Sequence, residues 1–291
     1  MSSETDLTRK FIFEDADVRG EIVHLDGAYR EILAIHQYPP GVSRLLGEFL
    51  AASVLLSTTI KFEGRLVLQA QGRGEVPLLM AECSNELAVR AIARGAQQAT
   101  GTEFSQLMSD GNLAITIEPL QGQRYQGIVP LEGSSLAACI ESYFENSEQL
   151  ATRLWLASDG DRAAGLLLQQ LPEQVVRDAA QREDQWQHVC TLAETIERAE
   201  VLELEQETVL YHLFHEDRVR VFDGEAVRFD CSCSRERCHN ALMSIGPSEL
   251  LKLFEEQDEV SMDCEFCNQQ YRFQRSDFDA QFGDTANSPL H

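Results

Sequence analysis

Cys231-Ser-Cys233 and Cys264-Glu-Phe-Cys267 are the residues of this sequence best spaced to do chemistry. They form two close cysteine pairs about thirty residues apart. A structural zinc ion takes four ligands in a tetrahedron, and four thiolates are a common set. One short pair supplies two ligands from a single turn, and a second pair closes the site. Cys231, Cys233, Cys264 and Cys267 are therefore the expected ligands of one Zn2+ per chain. The first pair has a one-residue spacer where ordinary zinc ribbons have two, and Cys238 is surplus to a tetrahedron. Four unligated buried thiols, or two structural disulfides, are the other readings of the same spacing. His239 adjoins Cys238 and reads as a surface histidine. Cys83, Cys139 and Cys190 lie in apolar contexts and read as free buried thiols.

The chain around these pairs has 291 residues, enough for two domains or for one large and one small domain. With 43% hydrophobic residues it can build a substantial core. Its 48 acidic residues against 24 basic ones give a net charge of −24, which opposes binding to nucleic acid or to anionic membrane surfaces. Met1-Ser-Ser-Glu-Thr-Asp6 lacks the basic and apolar regions of a signal peptide. The apolar run Leu45–Ile60 is interrupted by Glu48 and small polar residues, short of the roughly 18 apolar residues of a membrane span. A cytoplasmic protein with no nucleic-acid or membrane partner is expected. In that reducing setting, cysteines serve as metal ligands or redox thiols rather than as a static disulfide framework. The sequence has no Gly-x-Ser-x-Gly, His-Glu-x-x-His or phosphate loop, and no enzymatic activity is expected. Gly72-Arg-Gly74 reads as a hairpin turn, and His24 and His36 as packed or surface histidines.

The elements that must position the pairs follow from periodicity. Strand-like stretches fill residues 7–25, and Ala28–His36 fits a short helix closed by Pro39-Pro40-Gly41. Val42–Ile60 repeats its apolar residues at three- and four-residue spacing and predicts a long core helix. Arg65–Gln71, Val76–Glu82, Glu86–Ala93, Asn112–Glu118 and Arg124–Val129 read as strands. Ser134–Asn146 reads as an amphipathic helix, and Thr152–Ala157 and Ala163–Leu171 as two more strands. Strands in meander order with a few helices predict an α+β domain. Arg182–Glu207 then carries eight acidic residues and two arginines on what reads as one helix. Trp186, Val189, Cys190, Ala193, Ile196 and Ala199 form its apolar stripe. Its acids repel one another at neighbouring turns, so its stability must come from docking that stripe. Glu207–His215 reads as a second helix, and Arg218–Phe222 with Ala226–Phe229 as a hairpin leading into Cys231.

Residues 231–291 hold 11 acidic and 5 basic residues. Pro247–Gln257 fits one helix, Val260–Met262 enters the second pair as a strand and Tyr271–Phe273 leaves it. Residues after Asp284 read as a frayed tail. About sixty residues is a marginal size for a core, so a metal would supply much of the folding free energy. Arg235 and Arg237 stand where they could offset the charge of a four-thiolate centre. The fold class expected is α+β, in three parts. These are an N-terminal mixed sheet-and-helix core over 1–177, an acidic helical linker over 178–230, and a small zinc-binding domain over 231–291.

Cys231-x-Cys233-Ser-Arg-Glu-Arg-Cys238 with Cys264-x-x-Cys267-x-x-x-Tyr271-x-Phe273 closely resembles the heat shock protein 33 family, a group of bacterial redox-regulated holdase chaperones. Tyr38-Pro39, Leu46-Gly47-Glu48, Lys61-Phe-Glu-Gly64, Arg124-Tyr-Gln-Gly127, Ser147-Glu-Gln-Leu-Ala-Thr-Arg153 and Leu213-Phe-His-Glu216 extend the resemblance along the chain. It implies an N-terminal domain that binds unfolding client proteins without ATP and an acidic segment that covers that surface while the protein is reduced. It also implies a zinc domain that holds the cover in place. Oxidation is implied to form the disulfides Cys231–Cys233 and Cys264–Cys267, release zinc, loosen the cover and give an active homodimer. A two-residue spacer makes an easy disulfide ring, and the one-residue spacer of Cys231 and Cys233 a more strained one. Nothing in the resemblance assigns a role to Cys238. Two other classes compete. A zinc ribbon that binds nucleic acid is opposed by the acidic charge. A Cys-x-x-Cys thiol oxidoreductase would need a thioredoxin-like βαβ setting, which the sequence lacks.

Overall fold

The computed structural model describes residues 5–279. The tail expected after Asp284 lies outside the described residues. By packing, the chain divides into two compact units at the Asp230–Cys231 bond.

The first unit opens with β1 (Leu7–Phe13) and β2 (Val18–Leu25), followed by α1 (Gly27–Ile35) and α2 (Pro40–Thr59). A run of sheet follows: β3 (Gly64–Gln71), β4 (Leu78–Ser84) and β5 (Ala88–Arg94). A single helical turn, α3 (Phe104–Leu107), precedes β6 (Asn112–Pro119) and β7 (Tyr125–Pro130). Then come α4 (Leu136–Tyr143), a π-turn over Phe144–Glu148, β8 (Thr152–Ser158) and β9 (Ala163–Gln170). Three helices follow, α5 (Ala179–Ala193), α6 (Arg198–Glu203) and α7 (Gln206–Phe214). The unit ends on β10 (Val219–Val221), β11 (Glu225–Ala226) and β12 (Arg228–Phe229).

The strands do not make one meander. β3 to β7 form a sheet in the order β12-β5-β4-β3-β6-β7, while the first and last pairs of the domain combine in the order β10-β1-β2-β9-β8. The long helix α2 joins them: it packs on β2, β8 and β9 of one sheet and on β3, β4 and β5 of the other. By length and composition it could cross a membrane, but most of it is buried inside this unit. A helix apolar on nearly every face is what a site between two sheets requires. Gly47 of this helix lies so close to β8 and α1 that a Cβ would meet the Ser158 hydroxyl at 2.4 Å and the Tyr29 ring at 2.9 Å.

β9 is buried along almost its whole length, so the first sheet is covered on both faces. Leu167 faces α2, whereas Leu166 and Leu168 join Phe11, Phe13, Val18 and Ile22 on the opposite face. That second face is covered by Trp186, Val189, Cys190 and Ala193 of α5 and by Val209, Leu210, Leu213 and Phe214 of α7. Trp186, Val189, Cys190 and Ala193 of the stripe read from the sequence thus dock on a sheet, whereas Ile196 is half-buried and Ala199 exposed. Phe214 meets the Phe13 ring edge-on at 5.0 Å and the Phe11 ring at 6.0 Å. Polar contacts pin the rim. Arg182 Nε lies 3.3 Å from the Asp17 carboxylate, Gln206 Nε2 donates to the Leu7 carbonyl at 2.9 Å, and Arg9 pairs with Glu207.

Two expectations change here. Arg182–Glu207 is not one helix: α5 ends at Ala193 and α6 starts afresh at Arg198. The Thr195 hydroxyl bonds back to the Leu192 carbonyl at 2.7 Å, and Glu197 with Glu200 forms a capping box that begins a new helix. The break lets α6 turn Val201 onto Ala157 and Ala164, while Arg198 bonds the Ser158 carbonyl and lies 3.6 Å from the Glu48 carboxylate. Second, Arg218–Phe222 and Ala226–Phe229 do not pair as a hairpin. β10 and β11 both add to β1, and β12 adds in parallel to β5. Both are edge strands with unpaired backbone groups, a stronger draw than a short two-stranded ribbon can offer itself.

The second unit is small. It holds α8 (Arg235–Ser244), α9 (Pro247–Glu256), β13 (Glu259–Asp263) and β14 (Gln270–Gln274), the strands forming an antiparallel hairpin. Its core is Leu242, Leu250, Val260, Phe273 and Phe278.

Candidate metal centre

The two cysteine pairs arrive from different local structures. Cys231 and Cys233 stand on the extended stretch before α8, whose first turn is capped by Ser234: its hydroxyl accepts from the Arg237 N–H at 3.1 Å. That helix was not foreseen. Its signal was the Ser234 cap with Glu236 in the first turn, masked by a weak apolar pattern. Cys264 and Cys267 occupy the turn between β13 and β14. Asn268 takes a left-handed φ of 55° there, which folds the chain back so that its N–H reaches the Cys264 carbonyl at 2.7 Å. The same turn aims the N–H groups of Phe266 and Cys267 at the Cys264 sulfur, and that of Gln269 at the Cys267 sulfur.

These elements bring all four sulfurs within 4.8 Å of one another. Cys231 Sγ lies 3.6 Å from Cys264 Sγ, and Cys233 Sγ lies 3.4 Å from Cys267 Sγ. Zn–S bonds of about 2.3 Å place the sulfurs of a tetrahedron roughly 3.8 Å apart, so the set fits a zinc ion. No disulfide joins any of the eight cysteines, all of which lie among the described residues. Burial, then the crowding of neighbouring thiols, pushes the Cys267 thiol far above its usual range. Burial also raises Cys264, although the two N–H groups aimed at its sulfur act the other way. A dication among the four sulfurs reverses that balance, because a coordinating thiol is deprotonated outright. The donor set is therefore costly to ionise alone and suited to a cation.

Surrounding residues divide into those that touch the cluster and those that do not. The Tyr271 hydroxyl lies 3.1 Å from Cys233 Sγ, a contact that sequence reasoning did not assign. Arg237 donates to the carbonyl and hydroxyl of Ser232, between the first pair, at 2.8 Å. Arg235 does not serve the sulfurs as expected: it pairs with Asp277 at 2.9 Å and stacks over the Phe273 ring at 4.4 Å. Phe273 offers a face and Asp277 a full charge to the same guanidinium. His239 stacks on Phe278 at 4.6 Å and points Nε2 at the Asp277 carbonyl at 3.1 Å, outside the sulfur set. Cys238 also lies outside it, packed against the small core, with burial and then Cys264 raising its thiol. Cys83, Cys139 and Cys190 are buried in the first unit, as their apolar contexts suggested. Cys264-Glu-Phe-Cys267 sits on a hairpin turn, not at the helix N-terminus that activates a thioredoxin-like thiol.

Groups that hydrogen-bond a ligand atom typically tune metal affinity by about ten- to a hundredfold. Tyr271→Phe should therefore bind zinc on the order of tenfold more weakly with an unchanged fold. Competition against a chromophoric chelator would measure this; an unaltered affinity would mean that the hydroxyl bonds the sulfur only when the metal is absent.

Comparison with known proteins places this geometry in a family. A family model described as Hsp33 protein matches residues 6–274. The 33 kDa chaperonin of Pseudomonas paraeruginosa is 52% identical over 278 residues, covering 94% of this chain and 94% of that protein. The 33 kDa chaperonin of Azotobacter vinelandii is likewise 52% identical over 278 residues, with the same coverage. The crystal structure of a 33 kDa chaperonin (heat shock protein 33 homolog) from Thermotoga maritima matches with a TM-score of 0.82 over 98% of this chain and 100% of that one. At 19% identity it speaks to the fold alone. A match along nearly the whole chain, with relatives at half identity, makes this chain a member of the Hsp33 protein family.

Proposed function

We propose that this protein is a redox-regulated, ATP-independent holdase chaperone of the bacterial cytoplasm. It binds unfolding proteins under oxidative stress and prevents their aggregation, with no enzymatic activity of its own. One observation carries the reading. The acidic segment buries its Trp186 stripe on an apolar sheet face, and its last strand runs straight into the four-cysteine cluster. Residues 1–177 are the client-binding core, 178–230 a latch over it, and 231–291 the redox switch.

In the reduced protein Cys231, Cys233, Cys264 and Cys267 hold one zinc ion, which keeps all four sulfurs deprotonated and therefore oxidisable. Peroxide takes two electrons from each pair of thiolates. Cys264 and Cys267 join in one disulfide and Cys231 and Cys233 in another, each with reduction of one peroxide to two waters by two protons taken from solvent. Disulfide sulfurs no longer serve as thiolate donors, so the cluster loses its ion. The small core seen among its described residues does not hold the second unit without it. The fixed end of the latch goes with it, because β12 ends only two residues before Cys231. The freed sheet face takes up clients, and the active form dimerises. The membrane and nucleic acid have no part in this. The test measures zinc content and suppression of client aggregation on one sample, before and after peroxide at elevated temperature. The two must change together; activation with zinc fully retained would remove the switch from the mechanism.

The cysteines outside the cluster should be dispensable for switching. A variant carrying Cys83→Ala, Cys139→Ala, Cys190→Ala and Cys238→Ala is expected to bind zinc and to activate on oxidation. Zinc binding with no activation would mean that one of them resolves the disulfide chemistry.

A further inference from the structure

The latch covers more than a sheet face: it also closes two sheet edges. β10 and β11 run antiparallel along the free side of β1, pairing Phe11 with Val221, Phe13 with Val219 and Leu7 with Ala226. The Phe222 N–H donates to the Lys10 carbonyl at 2.9 Å, the Glu14 N–H to the Arg218 carbonyl at 2.8 Å, and the Val227 N–H to the Asp6 carbonyl at 2.9 Å. β12 does the same for β5, with Arg228 and Asp230 donating to the carbonyls of Leu87 and Val89 at 3.1 Å. When this segment leaves, β1 and β5 become edges with unsatisfied backbone groups. An open edge of this kind is a template for another extended chain.

The edge of β1 also states what chain it prefers. Arg218 and Arg220 of the covering strand both pair with Glu14, at 2.9 and 2.5 Å, and Arg218 reaches Asp15 at 3.2 Å. Arginines thus alternate with Val219 and Val221 in a segment of an otherwise strongly acidic protein. Glu14 and Asp15 stay on the core when the segment goes, leaving an acidic rim at the end of the bared strand.

We propose that the vacated edge of β1 takes up extended client segments in which basic and apolar residues alternate, by strand addition in the register that β10 occupies in the resting chain. This rests on the latch opening proposed above, and it goes further by naming a backbone-directed site beside the apolar face. Unfolding proteins supply extended segments freely, and main-chain pairing accepts many sequences, with the rim of Glu14 and Asp15 adding the basic preference.

The probe is a fluorescent peptide with the sequence of residues 216–224, added to the oxidised full-length protein. In the antiparallel register the N–H groups of Arg220 and Phe222 point at β1, and those of Val219 and Val221 point away. N-methylation at Arg220 and Phe222 removes two main-chain bonds without altering side chains, and should weaken binding by on the order of tenfold. N-methylation at Val219 and Val221 should leave binding within about twofold, since those groups make no bond to the edge. The reduced protein, its edge covered, should not bind the peptide. Hydrogen exchange on the same oxidised sample separates the two ideas. If amides over 178–230 remain protected, the latch has not opened and the underlying reading fails. If they exchange fast while both methylated peptides bind alike, or while no peptide binds, strand addition is overturned.

Discussion

Cys267→Ser is expected to cost the protein its zinc and to unfold residues 231–279, leaving the core of residues 1–177 folded. The four sulfurs lie within 4.8 Å of one another, so removing one leaves three donors of a site built for four. Binding of a structural zinc ion is worth on the order of 10 kcal/mol in apparent free energy. Against that, the described residues of the second unit have a core of five buried apolar side chains, Leu242, Leu250, Val260, Phe273 and Phe278. A domain of that size rarely holds more than a few kcal/mol by itself, so the loss exceeds what it has. Cys231, Cys233 and Cys264 should behave alike. Metal content and amide exchange would read the result: near-zero zinc, with the amides of α8, α9 and the β13–β14 hairpin exchanging as an unfolded chain and those of α2 staying protected. Native protection over 235–274 in a zinc-free variant would show that the small core suffices and that metal loss does not operate the switch. X-ray absorption of the reduced parent should show sulfur alone in the first shell; nitrogen there would make His239 a ligand after all.

Trp186→Ala should open the latch without oxidation. Trp186 is only 6% exposed and lies in the cluster formed by α5, α7 and the outer face of the first sheet. Deleting a well-packed aromatic of this size costs about 3–5 kcal/mol. The exposed ion pairs that also hold the segment add little. Arg9–Glu207 and Arg198–Glu48 involve exposed partners, and such pairs contribute about 1 kcal/mol or less. Acids at 183, 184, 194, 197, 200, 203, 205 and 207 weaken any undocked helix. The variant is therefore expected to suppress client aggregation while reduced and fully zinc-bound, with amides over 178–230 exchanging fast and those of the second unit protected. If it stays inactive until oxidised and the exchange of 178–230 is unchanged, this segment is not the latch.

How much of this was legible in the sequence follows from the range over which each signal acts. The cysteine pairs were readable because ligand spacing within one turn is a local property, and the fold had only to bring two turns together. α2 was readable because its apolar residues recur over twenty positions with no break. The Trp186 stripe was readable as a docking face, since an acidic helix with one apolar stripe must lie on something. Ala163–Leu171 was readable as a strand, but that it is buried on both sides came from the fold. The α+β class, the four-sulfur cluster and the family all follow from features of this kind.

Tertiary structure decided what depends on distant partners. The joining of β1 and β2 with β8 and β9 around an inserted sheet is a pairing across well over a hundred residues, and no local pattern encodes it. β10, β11 and β12 are two or three residues long, too short to carry a period, and their partners were chosen by open edges on β1 and β5 rather than by each other. The break between α5 and α6 turned on one threonine and two glutamates whose capping bonds compete closely with helix continuation. Arg235 turned from the thiolates to Asp277 and Phe273 because charge and ring were offered together by a chain segment about forty residues on. The residues that can do the chemistry were thus set by composition and spacing. How the cover over the sheet is held, and which edges it closes, was set by contacts that exist only once the chain has folded.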